Sequence, residues 1–282
     1  MGKKGFSNVK QYNDNKQPKM DELVAMLDLH KTGKKYIKLR FLDTDKYGRP
    51  AIANIWVEKE IEKNNKTVSI RFPRLPYSWD PINDEFKDTK NRDPYLKAEA
   101  GQFQKHYYVN VLVRPLQEKK RYSGKPSKSE AKTGFCDDLE SKDKTPVRVI
   151  RLPTTVVVKL GSFSELNKVK NKKTGKTEPY EISHPKYGRD IMLKFDPDAQ
   201  AANMYDIQLG DRTPLTEEEQ EFLAWNVEKA AADHFTPTFT YEEALADAEN
   251  EGIIESKKKK GKGSDYVTDD DEDEDEDEDE EE

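Results

Sequence analysis

Fourteen consecutive carboxylates at residues 269–282 constrain this chain more than any other feature. Such a block cannot fold by itself, because like charges repel and nothing apolar offsets the entropy of ordering it. It also unbalances the remainder. The formal charge is -7, from 49 Lys+Arg against 56 Asp+Glu, yet residues 265–282 hold 15 acids and no base, so residues 1–264 carry 49 bases against 41 acids, a formal +8. Whatever folds is a basic body tethered to a polyanion. Charged residues make up 37% and hydrophobic ones 33%, the reverse of the usual weighting, which argues against a large buried enzyme core and for long irregular surface segments. No apolar run approaches the roughly 18 residues of a membrane span, and Met1-Gly2-Lys3-Lys4-Gly5-Phe6 lacks the apolar stretch of a signal peptide. A soluble, unsecreted, cytoplasmic protein is expected. The single cysteine, Cys136, excludes an internal disulfide and a thiolate zinc cluster and suits a reducing compartment.

Residues 1–19 read as a disordered basic arm. Met20, Leu23, Val24 and Leu27 then recur at helical spacing, with Gly33 as a stop, which predicts an amphipathic helix over 20–30. From residue 36 the period becomes two: Tyr36-Ile37-Lys38-Leu39-Arg40-Phe41-Leu42 alternates apolar and basic positions, and 51–57 and 67–72 repeat the strand signal. His106-Tyr107-Tyr108-Val109-Asn110-Val111-Leu112-Val113 is the strongest strand and is placed at the centre of a sheet. Residues 117–146, poor in apolar side chains, read as a flexible insertion. Strands follow at 147–151, 190–195 and 204–209, a basic turn at 168–176, and a segment at 154–160 that fits either strand or helix. Thr216 with Glu219 and Thr240 with Glu243 are capping boxes, predicting a helix over 217–232 and a shorter one ending near Gly252. The expected organisation is a basic arm (1–19), a core (20–235), a helix and linker (236–264) and an acidic tail (265–282).

Two features bear on chemistry. Cationic residues interleave with aromatic ones through the middle of the chain, the mixture that single-stranded nucleic acid demands: the backbone needs cations, and unpaired bases need flat faces on which to stack. The ordinary alternative is that aromatics in a strand-rich domain form core. Tyr107 and Tyr108 stand out, because adjacent strand residues point to opposite faces and one ring must look outward or into a groove. The tethered polyanion is the second feature; it mimics a nucleic-acid backbone and can compete for the same groove at high effective concentration. Catalytic patterns are missing: the sequence has no P-loop, no Gly-x-Ser-x-Gly, no His-Glu-x-x-His and no CxxC, and His30, His106, His184 and His234 are scattered. Binding rather than turnover is expected, with no catalytic residue, no cofactor and no metal.

Lys3-Lys4-Gly5-Phe6-Ser7, the Arg-Phe-Leu of residues 37–42, the aromatic strand 107–113, the later segments 147–151 and 190–194 and the acidic block occur in an order that resembles the T4-type bacteriophage single-stranded DNA-binding (helix-destabilising) proteins. One departure is clear. Where that family carries a Cys-Pro-x-Cys metal pair, this chain reads Trp79-Asp80-Pro81-Ile82-Asn83, which argues against structural zinc. The resemblance implies an OB-fold core binding single-stranded DNA without sequence preference in viral replication, recombination and repair. It further implies an arm, with Lys3 and Lys4, that reaches neighbouring protomers on DNA, and a tail that recruits replication and recombination proteins.

The expectation is thus a mainly β fold with peripheral helices (α+β) around an OB-fold-like core. Phosphate contacts are assigned to Arg40, Arg71, Arg74, Lys105, Arg114 and Arg151, and base stacking to Tyr77, Trp79, Tyr107 and Tyr108. Partner contacts are assigned to the tail carboxylates, among them Asp269, Asp270, Asp271, Glu272 and Glu282. The rivals are an acidic-tailed chaperone of basic proteins, which leaves the basic aromatic middle unexplained, and a metal-dependent nuclease, for which the sequence offers no motif.

Overall fold

The structure, a computed structural model, describes residues 19–42, 51–63, 66–74, 76–80, 85–98, 101–119, 122, 125–170, 174–235, 240–250 and 254. Its first half is built on strands. A four-residue helix α1 (Met20–Leu23) and a 3-10 turn (Leu29–Thr32) lead into β1 (Ile37–Phe41). The long hairpin β2 (Ala51–Lys63) and β3 (Lys66–Arg74) follows, then a small ribbon, β4 (Trp79–Asp80) with β5 (Glu85–Phe86), a single turn α2 (Pro94–Lys97) and β6 (Gly101–Val113). The second half alternates. Helices α3 (Arg114–Lys119) and α4 (Lys128–Thr133), β7 (Phe135–Cys136) and a 3-10 turn (Leu139–Asp143) precede β8 (Val147–Pro153) and α5 (Thr154–Leu166). The hairpin β9 (Lys168–Lys170) and β10 (Thr177–Pro179), then β11 (Arg189–Phe195) and β12 (Tyr205–Arg212), complete the strands of the body. α6 (Glu217–Glu221), β13 (Ala224–Trp225), α7 (Val227–Phe235) and α8 (Tyr241–Asn250) close it.

The architecture is mixed α/β on a seven-stranded antiparallel sheet of order β12-β11-β1-β6-β2-β3, with β8 added to β6. The sheet is open: among the described residues β12 and β3 end it without meeting. β6 is central, as its apolar run predicts, and both its faces are covered. Tyr108 and Leu112 join Val147, Val149, Trp225 and Ala231 in one core. Val109, Val111 and Val113 join Leu39, Ile150, Leu152, Ile191 and Leu193 in a second, on which Val156 and Leu160 of α5 pack. Among the described residues no helix is long and apolar enough to cross a membrane.

Several segments depart from the sequence reading. The helix at 20–30 stops after one turn. Ala25 to Leu27 run instead along the outer edge of β8, Leu27 N donating to Val149 O (2.8 Å) and Val149 N to Ala25 O (3.0 Å). Met20 and Val24 enter the first core and Leu29 the second, so the i, i+3, i+4 spacing registers burial without helix. The expected helix over 217–232 is broken at Trp225, whose backbone is held by Asn110: Trp225 N donates to Asn110 Oδ1 (3.0 Å) and Asn110 Nδ2 to Trp225 O (2.9 Å), while the indole Nε1 donates to Val147 O (2.9 Å). Ala224–Trp225 then pairs in parallel with Phe135–Cys136. Residues 125–146, read as part of a flexible insertion, are structured around Glu130, a fully buried carboxylate. It accepts from Ser127 N (2.7 Å), from the Ser141 hydroxyl and from Lys144 Nζ (2.9 Å). Burial alone would raise this carboxyl, but those donors hold it at about 2. The ambiguous 154–160 is helix, and the capping boxes at Thr216 and Thr240 are both formed.

Candidate nucleic-acid interface

On a pleated strand, residues two apart share a face, so His106 and Tyr108 of β6 lie side by side, and antiparallel pairing sets Arg151 of β8 opposite Tyr108. These side chains line a groove of about 1380 Å³ whose other walls are the 19–31 segment and the start of β12. Its volume exceeds the roughly 300–1,000 Å³ of small-molecule pockets. Phe195, at the end of β11, and Tyr205, opposite it on β12, continue the lining. Their rings are 5.0 Å apart, and His30 meets Phe195 edge-on at 4.9 Å. A row of flat side chains therefore runs along the groove.

Charge is placed beside that row. The lining includes Lys19, Lys31, Lys142, Arg148 and Arg151 against Asp21 and Asp28. Lys31 is paired with Asp28 (3.0 Å), and Arg148 spends its guanidinium on the carbonyls of Thr145 (2.8 Å), Val147 (2.7 Å) and Lys142 (3.1 Å). Arg151 is exposed and, among the described residues, its side chain has no hydrogen bond or ion pair. Its field acts on three lining groups at once. His106 is pushed down to about 4, by burial first and by Arg151 second, so the imidazole is neutral at pH 7. The Tyr108 and Tyr205 phenols are raised by burial, against an opposing pull from Arg151, and stay protonated. The groove thus places neutral His106, Tyr108 and Tyr205 near a guanidinium that makes no ion pair among the described residues, with Asp21 also acting on Tyr108.

The residues assigned from sequence divide sharply by position. Tyr108 and Arg151 line the groove, although Tyr108 is only 7% exposed. Tyr107 points to the opposite side and packs on the second core. Arg40 is corrected outright. It is fully buried, and its guanidinium donates to the carbonyls of Ile182, Arg189 (3.2 Å) and His184 (2.6 Å), so no phosphate reaches it. Burial lowers this guanidinium to about 10, still cationic at neutral pH. Arg114 is likewise structural, its side chain 12% exposed and paired with Asp190 (3.1 Å) and Glu219. Trp79, assigned to stacking, is 5% exposed, edge-on to Phe86 (5.0 Å) with Lys105 Nζ 5.5 Å from its ring centroid. Tyr77 leans on Tyr241 of α8 (5.9 Å) and donates its amide to Asp93 (2.7 Å). Arg71 and Arg74 belong to β3, opposite Glu58 and Ile55, with side chains outside the described residues. Lys3, Lys4, Asn83, Asp269, Asp270, Asp271, Glu272 and Glu282 also lie outside them.

The sequence reading missed His106, Phe195 and Tyr205. His106 carried a usable signal, since period-two alternation puts it on the face of Tyr108; Tyr205 carried none, because its place depends on which strand pairs with β11. Among the described residues no three histidine, cysteine or carboxylate side chains converge to hold a metal ion, and Asp80 is paired with Lys87 (3.3 Å). No protein-family model matches the chain, and no curated protein matches it.

Proposed function

We propose that this chain binds single-stranded DNA without sequence preference, in the manner of the phage-type helix-destabilising proteins, protecting it during replication, recombination and repair. Residues 265–282 compete for the groove and, once displaced, become free for partner proteins. One observation carries the reading: Arg151, exposed and making no ion pair among the described residues, acts on Tyr108 and Tyr205 in a groove larger in volume than a small-molecule pocket. A neutral, partly exposed ring such as Tyr205 accepts any base and an exposed guanidinium any phosphate, so the site would tolerate every sequence. The OB-type assignment of the core belongs to the same proposal. Its support is an antiparallel sheet carried on one long central strand, and OB barrels are themselves partly open; among the described residues β12 and β3 do not close it. A second reading, an acidic-tailed chaperone of basic proteins, draws on residues 269–282 alone and leaves the groove without a task.

The test is a titration of labelled oligo(dT), duplex DNA and a basic protein at two salt concentrations. Oligo(dT) is expected to bind most tightly. Arg151→Ala lowers the slope of log K against log salt by about 0.7, one phosphate contact, and Tyr205→Leu costs about 1–3 kcal/mol of oligo(dT) affinity if the ring stacks on a base. Equal affinity for duplex and oligo(dT), or full oligo(dT) affinity in the folded double variant, overturns the reading.

A further inference from the structure

A second basic and aromatic surface lies at the other end of the β11–β12 pair. In register terms Phe195 and Tyr205 sit at the groove, while Arg189 pairs with Arg212 at the far end. Six residues of antiparallel strand separate the two ends, about 20 Å. There the β9–β10 hairpin carries Lys168, Lys170 and Lys176, with Arg212 donating to Lys168 O, and the adjoining 180–188 turn carries Lys186 and three rings; all five cations are exposed. Tyr180 lies 4.5 Å from Tyr187 and 5.2 Å from His184, His184 lies 5.1 Å from Tyr187, and Lys186 Nζ stands 5.4 Å from the Tyr187 centroid. The carboxylates nearby are Glu178, which accepts from the Tyr180 hydroxyl (3.4 Å), Glu181, which accepts from Ser164 (2.8 Å), and Asp211.

This surface is built rather than incidental. Asn167 is fully buried and donates to the carbonyls of Tyr180 (3.0 Å) and Tyr187 (2.8 Å), while its Oδ1 accepts from Arg189 (3.1 Å) and Arg212 (3.4 Å). Arg212 also donates to Lys168 O (3.2 Å), and Arg189 to Gly210 O (2.9 Å). One amide therefore fixes the backbone beneath two of the rings and ties the hairpin to the sheet, so the patch exists before any ligand arrives.

Resting on the reading of the groove given above, we propose that this hairpin patch is a second contact for the same unpaired strand, which leaves the groove at Tyr205 and reaches Lys168, Lys170, Lys176 and Lys186. The rings favour nucleic acid over the chain's own acidic segment: bases use flat faces, and carboxylates have no need of them. At about 3.4 Å per phosphate, 20 Å is about six stacked nucleotides. An oligonucleotide confined to the groove ignores the patch, and a longer one engages both.

The experiment compares oligo(dT) of about 5 and about 16 nucleotides, using the full chain and the variant K168A/K170A/K176A/K186A, whose exposed positions leave the core untouched. The 16-mer is expected to lose affinity and to show a salt slope lower by about 2–3, four contacts at about 0.7 each, while the 5-mer binds the variant as it binds the original. Tyr180→Leu is expected to weaken the 16-mer alone. An unchanged 16-mer slope overturns the proposal. So does an equal loss for both lengths, which marks a general field effect. If the variant alters only the response to removing residues 265–282, the acidic segment occupies the patch and the proposal falls. Failure of the original chain to bind either oligonucleotide is a separate result, and it removes the groove reading itself.

Discussion

Acidification offers a direct check on the half-buried imidazole at the groove. In the folded chain His106 is held at about 4, against an ordinary value of 6.5. Between those values the unfolded chain binds a proton that the folded one refuses, so stability falls as pH drops from about 6.5 towards 4 and is unaffected above that range. The interval from pH 6.5 to pH 5.0 corresponds to about 2 kcal/mol at 1.36 kcal/mol per pH unit. Because the ring borders an open groove, solvent screening brings the expected loss to about 1 kcal/mol. Glu130, lowered from 4.5 to about 2, gives up its own contribution mainly below pH 5, beneath this window, and it does so equally in the variant below. Urea unfolding followed by tryptophan fluorescence at pH 7.5 and pH 5.0 measures the difference. His106→Gln keeps a polar side chain that does not titrate, and its stability is expected to fall less over the interval by that amount. If both proteins lose the same stability between the two pH values, the imidazole is not held neutral by its surroundings and the electrostatic description of the groove is wrong.

Other consequences are as concrete. Asn110→Leu strips the buried N–H and C=O of Trp225 of their partners and is expected to destabilise the fold by about 3 kcal/mol, read from the urea midpoint; a loss under 1 kcal/mol refutes the clamp. Gly188→Ala drives a methyl group into the Arg40 guanidinium and the Ile182 carbonyl, at a cost of about 1–3 kcal/mol in the same assay. Removal of residues 265–282 is expected to tighten oligonucleotide binding and weaken its dependence on salt, and unchanged or reduced affinity eliminates competition by that segment.

What could be foretold from the sequence was what local chemistry decides. The alternation at 37–41 and 106–113 became strands because each run has apolar side chains to bury, and the boxes at Thr216 and Thr240 became helix starts because their hydroxyls and carboxylates lie within reach of the backbone. What failed depended on distant partners. Helical spacing at 20–27 lost to the free edge of β8, and the helix expected through Trp225 lost to Asn110, 115 residues earlier. Arg40 shows why site residues fared worse than strands. Alternation correctly placed it away from the apolar neighbours Leu39 and Phe41, but only the tertiary fold lays the 182–189 turn over it and converts a candidate phosphate ligand into a buried bracket.

That bracket also bears on how the chain is made. Leu39 of β1 finds Val113 on one side, but its other neighbour, Ile191, is encoded 78 residues further along. At about 5–20 residues per second a ribosome needs roughly 4–16 s to cover that stretch. For those seconds one flank of β1 is bare, with Leu39 and Phe41 ready to join any passing strand. Lys38 and Arg40 set charges in alternation with those apolar positions, and charge on an exposed strand edge disfavours pairing with a second chain.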